Sequence, residues 1–305
     1  MIISPLTNLS DVTLIKTFDS QSLISDWKNV FDIDISEELH NHPKIYLYRC
    51  NKSSLKFFMP LDVAGSDKLY KQLEEKYDWY YMPRKWEHDV AIQDLDGCTE
   101  ILEVGCGRGA FVERICKEIG ANGQGLEFNK NAIIHAQNSG IPVTDRDIYQ
   151  LAKETPHSFD AICTFQVLEH IPEVKKFLES LIQLLKPDGK LIISVPNNHS
   201  FTKHYHNDLL DQPPHHMTQW SVETFEFLTQ IFPIKIENYR YEPLAEYHVN
   251  WYLSIQLSRL PKLGLLNRFL NKGVHVFVKP LLKQNDFLRK LIIGHTIYVC
   301  FHKLS

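Results

Sequence analysis

The sequence predicts an α/β fold in which helices cover both faces of a mostly parallel sheet. Three observations lead to this prediction. Short apolar strands alternate with helical stretches from about residue 99, a glycine-rich turn joins the first of these strands to its helix, and acidic residues stand at two strand ends. In an open sheet of this kind, ligands bind beyond the carboxyl ends of the strands. The 305 residues provide room for one large domain or two modest ones.

Composition and charge exclude several classes of protein. The net charge of -4 argues against a chain-wide nucleic-acid-binding surface, and 44% hydrophobic with 23% charged residues is typical of a globular protein. The start shows no signal-peptide pattern, and no uncharged apolar run is long enough to cross a bilayer. The cysteines form no C-x-x-C pair, which indicates free thiols. We therefore expect a cytoplasmic protein that binds no nucleic acid.

Residues 1–90 predict an N-terminal extension of short strands and helices. Residues 44–50 and 54–60 have the composition of strands, and a turn-forming stretch divides them. From Ser66, which can cap a helix, the spacing of Leu and Tyr becomes helical. Pro83 separates this helix from a second one.

The pattern of residues 91–305 predicts a main domain in which strands and helices alternate. Glycines or a Pro-Asp-Gly turn follow the helices, as expected where a helix ends. A mostly helical, basic insertion at about 245–292 precedes the last strand. The predicted strands are 99–107, 122–129, 141–147, a stretch within 158–171, 187–197, 234–243 and 294–303, and the first helices between them are 110–120, 130–140 and 173–185.

A glycine-rich turn follows the first strand of the main domain. Glycine lets the backbone turn tightly and approach a ligand closely. Gly105, Gly107 and Ala110 match a dinucleotide-binding pattern, so an NAD-binding interpretation stays open at this point.

Two acidic residues favour a different ligand. Glu103 precedes the turn and gives the pattern E-x-G-x-G-x-G, which ends at Gly109. A carboxylate there repels a pyrophosphate but suits an ammonium group. Glu127 ends the second strand, where its two oxygens can hold both hydroxyls of a ribose. The alternative is that both carboxylates only cap neighbouring helices.

The motifs, taken in order, resemble the class I S-adenosylmethionine-dependent methyltransferases over roughly residues 100–198. "EVGCGRG" resembles their cofactor loop, "GLEFN" the ribose-binding strand end and "DRDI" the adenine-contacting segment. "FDAICTFQVLEHIPE" resembles the strand beside the methionine moiety, and "LLKPDGKLIISVPN" the helix, turn and strand that complete the core. All five stand at the family's spacing, which favours this family over NAD-binding proteins.

The resemblance implies a Rossmann-like, seven-stranded methyltransferase sheet with an N-terminal α+β extension before it and a helical insertion before the last strand. It also implies S-adenosylmethionine as the cofactor. The cofactor-binding residues implied are Glu103, Gly105, Cys106, Gly107 and Gly109 for the methionine end, Glu127 and Phe128 for the ribose, Asp147 and Ile148 for the adenine, and Gln166 from the fourth strand.

The segment "PPHHMTQWS", residues 213–221, follows the fifth strand and precedes a helix that Ser221 can cap. It resembles a segment in those methyltransferases that are associated with saccharide and cell-surface polysaccharide genes. We therefore expect a small-molecule acceptor, a sugar or a nucleotide- or lipid-linked sugar. A quinone or other aromatic O- or C-methyltransferase is the alternative, because "VLEHI" occurs there too, and an inactive binding module with the same fold is another.

Histidines are the candidates for a general base. A hydroxyl is a poor nucleophile near neutral pH, and histidine titrates in the useful range. We expect His215 or His216 to be the base, since two prolines restrict the loop before them, with His170 in reserve. Three further histidines, His199, His204 and His206, follow the fifth strand. Trp220 is expected either to stack on the acceptor or to fill the core.

We expect no metal at these histidines. The spacing H-x-x-x-H on a helix is absent, no cysteine pair is available, and adjacent histidines tend to point apart. Relatives often have a zinc ribbon near the N-terminus, but only Cys50 is present here, and Ser53 stands where a second cysteine is expected.

Two flanking stretches are rich in aromatic or basic residues. Tyr80, Tyr81 and Trp86 lie in the predicted helix pair, which either forms a lid over the cofactor or buries its rings against the sheet. Residues 259–290 contain eight Lys or Arg and one acid, interleaved with Leu, Phe and Val. This stretch is expected to pack on the core or on a partner subunit, with weak contact to an anionic membrane as the alternative.

Overall fold

The computed structural model describes residues 1–77, 80, 82–205, 208–260 and 272–305, and in these the strands form two sheets. Their composition follows the sequence, with β-branched and aromatic residues in the longer strands. The strands are β1 (Val12–Asp19), β2 (Lys44–Cys50), β3 (Lys56–Met59), β4 (Glu100–Val104), β5 (Asn122–Leu126), β6 (Val143–Thr144), β7 (Phe159–Phe165), β8 (Leu185–Pro196), β9 (Thr218–Gln219), β10 (Ile234–Pro243) and β11 (Ile293–Lys303).

Helices connect most of these strands. Each main-sheet helix from α4 to α8 buries apolar side chains. The α-helices are α1 (Ser20–Phe31), α2 (Asp67–Lys76), α3 (Trp86–Asp94), α4 (Ala110–Arg114), α5 (Lys130–Asn138), α6 (Ile148–Glu154), α7 (Val174–Leu184), α8 (Val222–Ile231), α9 (Val249–Ser258), α10 (Lys279–Gln284) and α11 (Asp286–Lys290), with short 3-10 turns at Leu61–Val63, Leu168–His170, Phe201–His204 and Glu246–His248 and π turns at Ile115–Ile119 and Val274–Val278.

The main sheet has the strand order β10-β11-β8-β7-β4-β5-β6. The strands from β8 to β6 pair in parallel, whereas β11 runs antiparallel to both β8 and β10. Strands β7 and β8 are almost continuously buried, as parallel strands covered on both faces must be. The chain leaves β4 toward β5 on one side and reaches β7 on the other, so the glycine turn lies at the point where the strand order reverses. The predicted seven-stranded, Rossmann-like sheet is confirmed.

The first sheet joins the N-terminal residues to the segment that contains the two histidines. Its order is β1-β2-β3-β9, and β9 lies within residues 213–221. Its core contains Trp27, Phe58 and Met217, which are fully buried. A strand from far along the chain therefore completes the N-terminal extension. The boundary predicted between residues 90 and 91 stays a prediction.

Helix α2 begins as predicted and ends earlier. The Ser66 hydroxyl accepts a hydrogen bond from the amide of Leu69 at 3.4 Å, and the helix ends at Lys76. Of the predicted continuation, residues 78, 79 and 81 lie outside the described residues.

The third strand of the main domain is shorter than predicted. It covers only Val143–Thr144, because Asp147 caps helix α6, which the sequence analysis did not predict. The Asp147 carboxylate accepts a hydrogen bond from the amide of Gln150 at 2.8 Å. A carboxylate soon after a strand favours a helix start, and here that preference ended the strand.

The basic insertion before the last strand contains helices α9, α10 and α11 among the residues that the structure describes. Residues 261–271, which include Lys262 and Arg268, lie outside them. Several apolar side chains of the described part are more than half exposed, namely Val276, Phe277, Leu281, Phe287 and Leu291. Within the described ranges, the helices are all too short or too polar to span a membrane.

Candidate active site

A cavity of about 1640 Å³ opens beyond the carboxyl ends of β4, β5 and β7. Its wall combines the glycine turn, the strand ends, helix α2, the turn Leu168–His170 and the loop before β9. This is where ligands bind in open α/β sheets. The predicted site residues that line it are Glu103, Gly105, Cys106, Gly107, Glu127, Phe128, Ile148, Gln166, His170, His215 and His216.

Glu103 presents a buried carboxylate to this cavity. The side chain is 3% exposed, and its Oε2 has no hydrogen-bond partner among the described residues. Burial raises the pKa of Glu103 to about 8, although Lys85 opposes the shift, and Glu127 raises it further. A buried acceptor without a partner is costly, so a cationic ligand that supplies hydrogen bonds is favoured here. The ammonium of S-adenosylmethionine fits this requirement.

Glycine is required beside Glu103 for steric reasons. Gly105 has φ +76°, and a Cβ on it would lie 2.3 Å from Cγ2 of Val167. Gly107 and Gly109 also have positive φ, at +52° and +76°. Gly109 lies behind the cavity wall, where a Cβ would come within 2.9 Å of Cγ2 of Ile141. It therefore shapes the turn rather than the cavity wall, where the sequence analysis expected it.

Glu127 is held by three backbone amides. Its Oε2 accepts a hydrogen bond from the amide of Gly107 at 2.7 Å, and its Oε1 accepts from Phe128 at 2.8 Å and from Asn129 at 2.9 Å. Oε1 already accepts two hydrogen bonds, whereas Oε2 accepts one and keeps acceptor capacity. The side chain is therefore oriented in advance, with Oε2 as the oxygen that can accept from a ribose hydroxyl.

The two residues predicted to contact the adenine differ in where they lie. Ile148 is buried and lines the cavity. Asp147 lies outside the cavity wall, at the N-cap of α6, where its carboxylate accepts the amide hydrogen of Gln150. An aspartate can either contact an adenine or cap a helix, and the sequence alone did not distinguish these two roles.

Gln166 stands at the end of β7 in an unusual backbone conformation. Its φ is +56°, a left-handed value that costs energy for a residue other than glycine. Its Nε2 donates to Oε1 of Glu87 at 3.2 Å, and both residues line the cavity. Strain of this kind is common where a side chain must point into a binding site.

Helix α2 roofs the glycine turn. Oε1 of Glu74 accepts a hydrogen bond from Nη2 of Arg108 at 3.0 Å, and its Oε2 accepts one from the Asn129 side chain. The Glu74 side chain is 6% exposed and that of Arg108 is 46% exposed, so the link is shielded from water only at the Glu74 end. One helix is thereby tied to both the glycine turn and the ribose-side strand end.

Tyr80 and Trp86, two aromatic residues of the predicted lid, have different surroundings. Tyr80 lines the cavity, with its hydroxyl 3.4 Å from Nε2 of His215. Trp86 instead packs edge-on against Tyr298, with ring centroids 6.4 Å apart, and belongs to the core. Tyr81 lies outside the described residues. Trp86 therefore corrects the lid interpretation, because it faces the sheet.

Three histidine rings meet on the cavity wall. The centroids of His170 and His215 are 4.7 Å apart, those of His170 and His216 are 4.9 Å apart, and those of His215 and His216 are 4.5 Å apart. The last two rings stack at 22°, which contradicts the expectation that these neighbours point apart. Both rings turn to one side because each has an acceptor in the preceding loop, the carbonyl of Leu210 and the carboxylate of Asp211.

Hydrogen bonding defines the tautomer of two of the three rings. Nδ1 of His170 lies 2.6 Å from the carbonyl oxygen of His215, Nδ1 of His215 lies 2.9 Å from that of Leu210, and Nδ1 of His216 lies 3.2 Å from Oδ1 of Asp211. A carbonyl only accepts, so in His170 and His215 the hydrogen is on Nδ1, and Nε2 of each of these two rings has a lone pair. Burial raises the pKa of Asp211 well above its usual value, so the contact with Asp211 does not by itself define the tautomer of His216.

The three imidazoles are neutral at neutral pH. Burial lowers the pKa of His170 to about 4 and that of His215 to about 3, and it lowers the pKa of His216 well below its usual value. A neutral imidazole can accept a proton or bind a metal ion. The cluster therefore offers unprotonated ring nitrogens beside the predicted cofactor site.

Two other sequence candidates do not join this site. His199 is exposed and lies 3.7 Å from Oε2 of Glu223. Trp220 is 1% exposed, stacks on Phe225 at 5.0 Å and donates its Nε1–H to Thr218. Trp220 therefore fills the core and does not stack on an acceptor. The side chain of His204 and the whole of His206 lie outside the described residues.

The sequence analysis missed four residues that shape the site. They lie on separate segments: Tyr70, Glu87 and Asp211 belong to none of the motifs named above, and Glu169 belongs to "VLEHI" but was given no role there. Glu169 is 1% exposed, and its Oε1 lies 3.9 Å from Nε2 of His170 and 4.0 Å from Nε2 of His216. An acidic residue directly before His170 was the available signal for it.

Comparisons with known proteins agree with this geometry. A family model described as a methyltransferase domain matches residues 67–260. The ubiquinone biosynthesis O-methyltransferase of Xanthomonas euvesicatoria is 36% identical over 120 residues, which are 38% of this chain and 50% of that protein. The enzyme of the same name from Xylella fastidiosa is 37% identical over 161 residues, 46% of this chain and 65% of that protein. The chain spans about half the length of the first of these curated relatives.

A solved structure shows the same fold. It is a SAM-dependent methyltransferase from Thermotoga maritima, with a TM-score of 0.51 and 14% sequence identity. The match covers 78% of this chain and 100% of that one.

Proposed function

The chain belongs to the class I S-adenosylmethionine-dependent methyltransferases, with S-adenosylmethionine as its cofactor, and from this premise we propose that it methylates a hydroxyl of a small molecule. One observation supports the hydroxyl most strongly. Three neutral imidazoles lie on the wall of the same cavity as the unpartnered carboxylate of Glu103. Methyl transfer to a hydroxyl requires removal of a proton, and these nitrogens can accept it.

Each of three cavity residues would hold a different part of the cofactor. Glu103 would hold the ammonium, Glu127 would hold the ribose, and Ile148 would pack against the adenine. When bound, S-adenosylmethionine supplies a methyl group activated by its positive sulfur. The protein holds the acceptor oxygen in line with that methyl group, which is its main contribution to the rate.

The histidine cluster removes the proton of the acceptor. The acceptor oxygen forms a bond to the methyl carbon as the carbon–sulfur bond breaks, and the electron pair of that bond stays on sulfur. The hydroxyl proton moves to Nε2 of His215 or His216, with His170 next to both. The carbonyl of Leu210 keeps His215 in the tautomer that accepts at Nε2, and Asp211 orients the ring of His216.

An aromatic hydroxyl, as in a quinone precursor, is the first candidate for the acceptor. The curated relatives are named ubiquinone biosynthesis O-methyltransferases. Their similarity covers less than half of this chain. It supports the reaction type more strongly than the acceptor. Aromatic side chains on the cavity wall, such as Tyr80, Phe165 and Trp251, suit a flat ring.

A sugar hydroxyl is the second candidate, favoured by polar side chains on the cavity wall. Gln166 donates a hydrogen bond to Glu87 there, and Thr296 and His295 also line the cavity. Glu87 is 3% exposed. An acceptor with several hydroxyls can form hydrogen bonds with such groups, which an apolar ring substituent cannot.

A methyl-transfer screen tests the proposal. The protein is incubated with methyl-labelled S-adenosylmethionine and either catechol-type acceptors or nucleotide and lipid-linked sugars. We expect transfer to an oxygen of one set, and a large loss of turnover in His216→Ala or His215→Ala. His199→Ala is the matched control, because His199 is exposed and outside the cluster. Unchanged turnover in both cluster variants would show that neither histidine is the base.

A third outcome would point to a binding module. If the protein binds S-adenosylmethionine but transfers no methyl group to either class of hydroxyl or to a quinone ring carbon, the proposed activity is wrong.

A further inference from the structure

The three histidines of the cluster also have the geometry of metal ligands. One ring nitrogen from each of His170, His215 and His216 lies within 4.8 Å of the other two. Zinc–nitrogen bonds of about 2.0–2.1 Å at tetrahedral angles place two ligand nitrogens about 3.4 Å apart. Closure around an ion therefore requires each pair to approach by at most about 1.4 Å, which small rotations of the rings provide.

The hydrogen bonds behind the rings are those expected of metal-binding histidines. A histidine that binds a metal through one nitrogen usually donates its other N–H to a carbonyl or carboxylate, which orients the ring. All three rings have this arrangement, with His215 O, Leu210 O and Asp211 Oδ1 facing the three Nδ1 atoms. The three Nε2 atoms are thereby directed away from these partners.

A fourth group lies against two of these nitrogens. Oε1 of Glu169 is 3.9 Å from Nε2 of His170 and 4.0 Å from Nε2 of His216. The side chain is fully buried, and its Oε2 finds no hydrogen-bond partner in the part of the chain that the structure describes. A buried carboxyl oxygen without a partner is costly, and a cation that coordinates this group removes that cost.

We propose that His170, His215 and His216 bind one divalent cation of the type that prefers nitrogen ligands, with Zn²⁺ as the reference ion and Glu169 as the fourth ligand. Three imidazoles and one carboxylate are a zinc-type donor set, whereas Mg²⁺ and Ca²⁺ prefer oxygen ligands. The sequence analysis expected no metal here because adjacent histidines tend to point apart. The stacking of His215 on His216 removes that objection.

The cation faces the cavity, so an acceptor oxygen can reach it. All four ligands line the same cavity as Glu103 and Gln166. Zinc accommodates a fifth ligand and lowers the pKa of an oxygen bound to it. This role rests on the proposed function: a coordinated hydroxyl loses its proton to water, and the cation takes over the task of a free imidazole. Metal binding itself does not depend on that role.

Direct titration tests the site. Untagged protein is stripped with a chelator, dialysed, and titrated with Zn²⁺ and with Co²⁺ in a calorimeter, while the visible absorption of bound Co²⁺ is recorded. We expect one ion per chain, the visible bands of a four- or five-coordinate cobalt site, and Mg²⁺ binding weaker by about 100-fold or more. Absence of Zn²⁺ and Co²⁺ binding at millimolar concentration overturns the proposal.

Variants identify the ligands. His216→Gln and His170→Gln are expected to weaken Zn²⁺ binding by about 100-fold, and Asp211→Asn, behind His216, by about 10-fold. His199→Ala is the matched control and should bind zinc as tightly as the unaltered protein. Zinc binding that survives in both glutamine variants places the ion elsewhere and contradicts the assignment.

A second readout separates this proposal from the proposed function. Each variant is also titrated with S-adenosylmethionine, which reports a folded cofactor site without any methyl transfer. Variants that bind S-adenosylmethionine normally and lose the cobalt bands support the site, even if no acceptor has been found. Variants that keep the cobalt bands and lose only methyl transfer support a histidine base instead and contradict the metal.

Discussion

Two glycines with the same backbone conformation have different surroundings. Gly97 has φ +78°, and a Cβ added to it would meet no described atom within 4 Å apart from its chain neighbours. Gly105 has φ +76°, and a Cβ added to it would lie 2.3 Å from Cγ2 of Val167. Alanine costs roughly 1–2 kcal/mol at either site from backbone strain alone. We predict that Gly97→Ala lowers the free energy of unfolding by about this amount and leaves cofactor binding intact.

The Gly105→Ala variant is expected to lose cofactor binding as well, because the added methyl group displaces Val167 and the turn beside it. Chemical denaturation and calorimetric titration with S-adenosylmethionine measure the two effects. Equal cofactor affinity in Gly97→Ala and Gly105→Ala would show that the close approach at Gly105 is unimportant.

The raised pKa of Glu103 predicts that a proton is released when the cofactor binds. The pKa of Glu103 in the free protein is raised to about 8 by burial, so the group is protonated at pH 7. An ammonium beside it favours the ionised form, and about one proton should leave per cofactor bound at pH 7. Calorimetry in buffers of different ionisation enthalpy measures this number.

The release should fall as pH rises through about 8, where the free carboxyl is already ionised. The same shift acts on stability: the protonated carboxyl stabilises the fold below the unfolded pKa of 4.5, and that contribution is lost as pH rises toward 8. Glu103→Gln should release no proton from this position. Release unchanged in that variant would assign the proton to another group.

Residues with a local requirement could be predicted from the sequence. Gly105 and Glu127 stand at strand ends where only certain residue types can turn or accept, so their roles follow from a short motif. Tyr70 and Glu74 could not be predicted, because their partners His170 and Arg108 lie far along the chain. Asp147 was assigned to the adenine because its capping role depends on a helix that the sequence did not reveal.

At the scale of elements, helix α2 covers the glycine turn and is joined to it by the side chain of Glu74. Removing Glu74 breaks its bonds to Arg108 and Asn129, which hold the glycine turn and the ribose-side strand end. We predict that Glu74→Ala raises the dissociation constant for S-adenosylmethionine by about tenfold, since hydrogen bonds of charged groups contribute about 1.5–3 kcal/mol each.

Glu75→Ala is the matched control for that variant. Glu75 is the next residue of the same helix, is exposed, and lies 3.8 Å from Lys71. An exposed pair of this kind contributes little. If both variants bind the cofactor equally well, helix α2 does not support the cofactor loop.

Contact between the basic insertion and an anionic membrane stays a prediction. Phe277, in the π turn before α10, is 75% exposed, and Phe287, on α11, is 68% exposed. Lys279 and Lys283 lie on α10, and Lys290 lies on α11. Contact with an anionic membrane predicts weak co-sedimentation with anionic vesicles at low salt, lost at high salt and in Phe277→Ser/Phe287→Ser. Vesicles of neutral lipid are the control, and no co-sedimentation with anionic vesicles at low salt contradicts membrane contact.

Elements in which apolar residues recur at a regular spacing could be predicted, whereas very short elements could not. The spacing of apolar residues predicted helix α7 and strand β8 almost to their ends, and it placed strand β7 within residues 158–171. Helix α6, with seven residues, and strand β9, with two, have too few residues to establish a period. Strand β9 exists because Thr218 and Gln219 pair with β3, a contact between distant segments.

At the scale of the molecule, sheet order decides which residues meet. The glycine turn, the end of β7 and the loop before β9 are separated by many residues, yet all border one cavity. The alternation of strands and helices predicted the parallel sheet and hence the edge where ligands bind. The second sheet was not predictable, because its last strand, β9, comes from the segment that contains the two histidines.

The central claim is that this cavity binds S-adenosylmethionine and uses it as the methyl donor. Calorimetric titration with S-adenosylmethionine, followed by the same titration with NAD, tests it most directly. We predict one binding site per chain for S-adenosylmethionine, displacement by S-adenosylhomocysteine, and no heat with NAD. Absence of heat with S-adenosylmethionine, or tighter binding of NAD, would contradict the account.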